Sequence, residues 1–184
     1  MKILSISAAI FVIDQITKYL TKTFMTLRES IPVIGDTVRL TYIENYGMAF
    51  GISIGNKVLF NFFSLFAAAA IFYYLIKMRN NHFVPRFALA IIFGGALGNL
   101  VDRIIYGRVV DFVDVNIPNI PAFDLYFLTI PPFNRWPIFN VADMAVSCGM
   151  FLLILTIIMP QSVWSVHEIS SDADPVPVEE KIQK

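Results

Sequence analysis

Four stretches of this chain, at about residues 3 to 24, 58 to 77, 86 to 106 and 139 to 159, stay apolar over a length that reaches across a bilayer. A hydrocarbon core of about 30 Å takes roughly 20 helical residues to cross. Each stretch therefore predicts one transmembrane helix, and together they predict a four-helix bundle. The composition agrees. Of 184 residues 57% are hydrophobic, 17 are Phe and only 15% are charged, with a mean hydropathy of +0.66, far more apolar than a water-soluble domain of this size. Met1-Lys2 followed by Ile3 to Ile13 has the outline of a secretory signal peptide. Asp14, Gln15 and Lys18 nevertheless stand where small cleavage-site residues belong, so this segment is read as a retained first span.

Charge divides the chain. Residues 1 to 160 hold 12 basic and 9 acidic side chains, whereas the tail from Gln161 holds 2 and 5. The expected organisation is a transmembrane domain over 1–160 and an acidic tail over 161–184. In the tail, Asp172, Asp174, Pro175, Pro177, Glu179 and Glu180 stand among few large apolar residues, a composition that predicts disorder or a frayed helix. The basic residues sit mostly at span ends and form no broad face, which argues against nucleic-acid binding. Cys148 is alone and forms no internal disulfide.

The short connection from Lys77 to Arg86 contains Arg79 and His82 and is basic, as loops retained in the cytoplasm are. Both termini then lie in the cytoplasm, and the two long connections, about 25 to 57 and 107 to 138, face outward. The first alternates through Val38-Arg39-Leu40-Thr41-Tyr42-Ile43 and is broken by Gly35-Asp36 and Gly47, which predicts a small β-rich structure at the membrane surface. The second sets Pro118, Pro121, Pro131, Pro132 and Pro137 among Phe123, Tyr126, Phe127, Phe133 and Trp136. It is expected to be an aromatic, proline-rich loop at headgroup depth rather than a helix. The fold class is thus an all-α membrane protein carrying a small extracytoplasmic β element after its first helix.

Polar residues inside such spans are costly unless paired or used. Asp14 and Lys18 are four apart on one helical face, which suits either a structural ion pair or a Lys18 that snorkels outward to hold substrate headgroups. Asn45 precedes Gly47 and Gly51 in a string that reads first as a turn. Gly94, Gly95, Ala96 and Gly98 narrow the third span for close helix packing. Asn99, Asp102 and Arg103 follow on one face and must turn inward, either as an Asp102–Arg103 salt bridge or as a site in which Arg103 holds a phosphate or a peptide carbonyl.

Gly107 is placed to end the third helix, with Asp111 shortly beyond it among Val109, Val110, Phe112 and Val113; apolar neighbours favour a carboxyl that keeps its proton. Asn140 has the character of an N-cap with Asp143 at the third helical position, where the positive helix end favours an ionised carboxylate. One protonated and one ionised carboxyl at matching depth is the arrangement that lets an aspartic peptidase activate water and protonate a carbonyl. Other chemistries lack their parts. His167-Glu168 has no second His for an HExxH zinc site, His82 and His167 are far in depth from Ser147 and Cys148, and no phosphate loop or dinucleotide fingerprint occurs. The rival class is a non-catalytic transporter or assembly subunit, but repeated halves and broken helices are not evident.

These motifs together resemble the bacterial lipoprotein signal peptidases, or signal peptidase II. The resemblance runs over about residues 8 to 160, through Asp14-Gln15 with Lys18, Asn45-Tyr46-Gly47-Met48-Ala49-Phe50, Gly94 to Arg103, Val109-Val110-Asp111-Phe112 and Phe139-Asn140-Val141-Ala142-Asp143. It implies Asp111 and Asp143 as the catalytic pair and Asn45, Asn99, Arg103 and Asn140 as residues lining the site. It further implies an endopeptidase of the bacterial cytoplasmic membrane, free of metal and cofactor, that cuts signal peptides from prolipoproteins just before a diacylglyceryl-modified cysteine at the outer face. Globomycin-type cyclic peptides are the inhibitors the resemblance implies, and a monomer suffices for the chemistry. The insertion from Asn116 to Trp136 and the acidic tail lie outside the shared motifs.

Overall fold

A computed structural model describes residues 2–46, 57–79, 82–125, 128–130 and 133–159. The turn expected over Gly47 to Gly51, together with Tyr126, Phe127, Pro131, Pro132 and the acidic tail, lies outside the described residues. Four helices, α1 (Lys2–Phe24), α2 (Lys57–Lys77), α3 (Phe83–Tyr106) and α4 (Val141–Ile158), are all long and apolar enough to cross a membrane.

The third helix is the centre of the bundle. Of its apolar window 61% is buried, against 22%, 11% and 17% for the first, second and fourth helices, and it packs against all three. The other helices therefore give broad faces to lipid, with Phe24, Phe66, Phe151 and Ile157 among the exposed side chains. Small residues set how closely α3 is approached. A Cβ on Gly94 would lie 2.6 Å from the carbonyl oxygen of Ser7, and one on Gly95 would lie 2.5 Å from that of Ala142. Ser7 uses the proximity, its hydroxyl donating to the carbonyl of Ala90 at 2.7 Å. The helix starts three residues earlier than expected because Pro85 sits in the first turn, where a missing N–H breaks no helical bond. It ends at Gly107, whose φ of 68° is left-handed and whose N–H bonds the carbonyl of Arg103 at 3.1 Å.

The long connections are more β-structured than the sequence reading expected. Strands β1 (Ser30–Ile34) and β2 (Val38–Asn45) form a hairpin between α1 and α2. Between α3 and α4 run β3 (Val109–Ile120), β4 (Phe123–Leu125), β5 (Leu128–Ile130) and β6 (Phe133–Arg135). One antiparallel sheet in the order β1-β2-β3-β6 joins both connections, and β4 with β5 makes a separate hairpin. The expected proline-rich loop is thus largely strand: Pro118 falls within β3, whose Val109 to Val115 run pairs with β2 before the prolines are reached. Because the sheet spans both connections, they occupy the same end of the bundle.

One irregularity in this sheet decides what faces the helices. Leu40 pairs with Val113, but Ile43 pairs with Asp111, so β2 carries one extra residue in between. Successive strand residues alternate faces, and an insertion of one exchanges them. The bulge puts Asn45 on the face of Asp111. Arg39 and Thr41 are left on the opposite face with Asp114, which accepts from Thr41 Oγ1 at 2.8 Å and pairs with Arg135 at 2.9 Å. Asp36 links the same face to the β1–β2 turn through Arg39 at 3.1 Å and Arg135 at 3.0 Å.

Candidate active site

Asp111 lies on β3, two residues into the sheet after the Gly107 turn, and is 1% exposed. Its oxygens are both engaged: Oδ2 accepts from Asn45 Nδ2 at 2.9 Å and Oδ1 from Asn140 Nδ2 at 2.7 Å. Burial pushes its pKa up to about 6, and the negative charge of Asp143 adds to the rise, against the opposing hydrogen bonds of Asn45 and Asn140 and the charge of Lys18.

Asp143 opens α4 in a capping box. Its N–H donates to Asn140 Oδ1 at 3.0 Å, and its own Oδ2 accepts the Asn140 backbone N–H at 3.2 Å, satisfying two donors that a helix start leaves over. Its Oδ1 accepts from Asn99 Nδ2 at 2.8 Å. Backbone bonds deliver α4 to this position. Phe112 and Val113 both donate to the carbonyl of Phe139, at 3.1 and 2.8 Å, and Phe139 donates back to Val113 at 3.1 Å. Asn140 is thereby held beside β3, touching Asp111 with its side chain and Asp143 with its backbone.

Beneath the carboxyl pair lies a buried charged group inside the bundle. Lys18, 2% exposed, has its Nζ 2.8 Å from Asp14 Oδ2, 2.8 Å from Asp102 Oδ2 and 2.8 Å from Asn99 Oδ1. The contact with Asp102 Oδ2 is electrostatic, its direction being unsuited to a hydrogen bond, and Asp102 Oδ1 accepts instead from Gln15 Nε2 at 3.2 Å. Asp14 Oδ1 accepts the backbone N–H of Ala142 at 2.9 Å, so α1 caps the first turn of α4. Gly98 has no room for a Cβ against this Asp14 carboxylate.

This arrangement decides two alternatives that the sequence left open. Lys18 does not reach outward to headgroups, because two carboxylates and an amide hold it inside. Asp102 takes Lys18 rather than Arg103 as its cation. Arg103 is half-buried, stacks 4.9 Å over the ring of Phe60, and bears electrostatically on Asp143, Asp111 and Asp102. The structure therefore brings Asn45, Asn99, Asn140, Asp111 and Asp143 into one hydrogen-bonded cluster, with Asp14, Lys18 and Asp102 directly below and Arg103 alongside. Two participants were not foreseen. Gln15, which also reaches Asp14 at 3.2 Å and the Gly98 carbonyl at 3.3 Å, was signalled only by its place beside Asp14. Phe60 carries no sequence signal, since its role depends on how α2 packs. Among the described residues no three His, Cys, Asp or Glu side chains gather as a metal-binding group.

The fold and the cluster define a multi-span membrane protein with two carboxyl groups, remote in sequence, joined at one end of its bundle. The family described as signal peptidase (SPase) II matches residues 6–159. The lipoprotein signal peptidase of Syntrophus aciditrophicus (strain SB) is 40% identical over 157 residues, covering 83% of this chain and 89% of the relative. That of Staphylococcus aureus (strain JH9) is 36% identical over 160 residues, covering 86% and 90%. A solved structure described as a bacterial membrane enzyme, obtained by the in meso method, superposes with a TM-score of 0.73 at 31% identity, covering 91% of this chain and 94% of that one. The chain belongs to the signal peptidase II family, and it is a multi-pass bacterial membrane enzyme of that class. A non-catalytic subunit is thereby set aside.

Proposed function

We propose that this peptidase is an intramembrane aspartic endopeptidase that removes signal peptides from prolipoproteins, cutting before a diacylglyceryl-modified cysteine, with Asp111 and Asp143 as its catalytic pair. The observation that carries the reading is the double engagement of Asn140, which donates to Asp111 through its side chain at 2.7 Å and to Asp143 through its backbone at 3.2 Å. Two carboxyl groups tied to one residue are held in fixed relation, as shared work on one water demands. Family membership supports the substrate class, since the named relatives are lipoprotein signal peptidases.

In the reaction so proposed, ionised Asp143 takes a proton from water while the hydroxide adds to the scissile carbonyl carbon, and protonated Asp111 gives its proton to the carbonyl oxygen. Asp143 then passes the proton it took to the departing amine nitrogen as the carbon–nitrogen bond breaks, and Asp111 regains its own from the collapsing diol. The signal peptide's apolar helix would lie against the spans with the lipid chains left in the bilayer, and Arg103 is suited to hold a peptide carbonyl or headgroup phosphate. The basic Lys77 to Arg86 connection supports an orientation with both termini in the cytoplasm and this site at the outer face. The enzyme works as a monomer, and globomycin-type peptides compete at the carboxyl pair. Purified protein incubated with a lipidated precursor tests the reading: Asp111→Asn and Asp143→Asn should each abolish cleavage yet insert normally. Cleavage by either variant at a near-normal rate defeats it.

A further inference from the structure

We infer that Lys18 is a positioning residue for the reaction: it fixes the Asn99 amide so that its N–H faces Asp143, the member of the pair that takes the proton from water. This role rests on the catalytic pair proposed above.

An ammonium group has donors and no acceptor, whereas an ionised carboxylate has acceptors only. Asn99 stands between the two, its Oδ1 2.8 Å from Lys18 Nζ and its Nδ2 2.8 Å from Asp143 Oδ1. Turned the other way, the amide would aim N–H groups at an ammonium and a carbonyl at a carboxylate, two repulsive contacts in a buried place. Lys18, joined on the same oxygen by Asn140 Nδ2 at 3.2 Å, thus makes Asn99 a committed donor toward Asp143. A donor that cannot accept favours the ionised carboxylate over the protonated one. Lys18 is itself immobilised by Asp14 and Asp102, both buried, so the amide has a fixed reference. Asp14 adds a second constraint by holding the Ala142 N–H, next in sequence to Asp143.

The charged and titratable groups that act on Asp143 come from three elements. Lys18 and Asp14 lie on α1, Asp102 and Arg103 on α3, and Asp111 on β3, while Asn99 and Asn140 supply the neutral donors. Among them Lys18 is the cation placed on the far side of a hydrogen bond to Asp143, which is why its removal changes both the charge and the donor.

The pH dependence of kcat, measured with a diacylglyceryl-modified precursor peptide, separates positioning from mere support. Lys18→Met takes away both the charge and the fixed donor that face the base, so the ascending acid limb should move to higher pH, with a loss of about tenfold in kcat on the acid side and KM little changed. The descending limb should move the same way, because the Lys18 charge also bears on Asp111. A structural role alone would lower activity evenly and leave both limbs in place, and that result overturns the inference. Should Lys18→Met not fold, Asn99→Asp decides: it keeps the Lys18 partner but turns a carboxylate oxygen toward Asp143, so the acid limb should again rise, and an unmoved limb is again fatal. Failure here, with Asp111→Asn and Asp143→Asn still inactive, would leave the catalytic pair standing and remove only the role of Lys18.

Discussion

Replacing Asp111 by Asn should make the protein more stable at high pH and less stable at low pH, and the crossing is calculable. The carboxyl is 1% exposed and its pKa stands at about 6, against 3.8 for an unperturbed aspartate. A raised folded-state pKa means that the folded protein holds this proton more tightly than the unfolded chain does. The associated stability is fully present below about pH 4 and is lost as pH rises through about 6. Two pKa units at 1.36 kcal/mol each make the wild-type loss about 3 kcal/mol by pH 8, close to a hundredfold in the folding equilibrium. Asn does not titrate, but it substitutes an NH2 for one acceptor, so either Asn45 or Asn140 loses its bond; that costs about 1–2 kcal/mol at every pH. The difference between the variant and wild type, followed by unfolding in micelles from pH 4 to 8, should therefore change sign at about pH 5, where the wild-type loss reaches the 1–2 kcal/mol that the Asn costs. A difference that stays flat across this range refutes the claim that burial withholds the charge of Asp111.

The same shift bears on catalysis: if Asp111 is the acid, kcat should descend as pH rises through about 6, and a rate flat from pH 5 to 8 would assign the acid elsewhere. Asn140→Ala removes the helix cap and the side-chain bond to Asp111 together; about 1–2 kcal/mol of stability should go, with cleavage lost in folded protein, as thermal unfolding and turnover assays would report. Gly95→Val should cost about 1–3 kcal/mol, because its Cβ begins 2.5 Å from the Ala142 carbonyl and forces α4 away from α3; an unchanged unfolding midpoint would deny that contact.

Much of the scaffold was legible because membranes make the code simple. Apolar length alone marks a span, so four helices were readable within a few residues, and Gly107 and Asn140 followed from local rules about helix ends. The Asp14–Lys18 pair was equally readable, since a four-residue spacing fixes neighbours on a helix before any tertiary contact forms. What Lys18 does next was not. Its other partners, Asp102 and Asn99, come from a helix 80 residues away, and only the packing of α1 on α3 across Gly94 and Gly98 brings them within 2.8 Å. The aromatic, proline-rich appearance of residues 116 to 136 likewise hid its strands, because the pairing of β3 with β6 and of β4 with β5 is a choice of partner that composition does not express.

The amino-acid order by itself determined the spans, their ends, the ion pair within α1 and the capping box at α4, because each depends on residues within one or two turns. Tertiary structure decided which face of β2 carries Asn45, which cation Asp102 meets and how Asn140 comes to hold two distant carboxyl groups. Those outcomes turn on one inserted residue in a strand and on glycine-sized gaps between helices. Register and interhelical distance are properties of the assembled chain, and no local pattern encodes them.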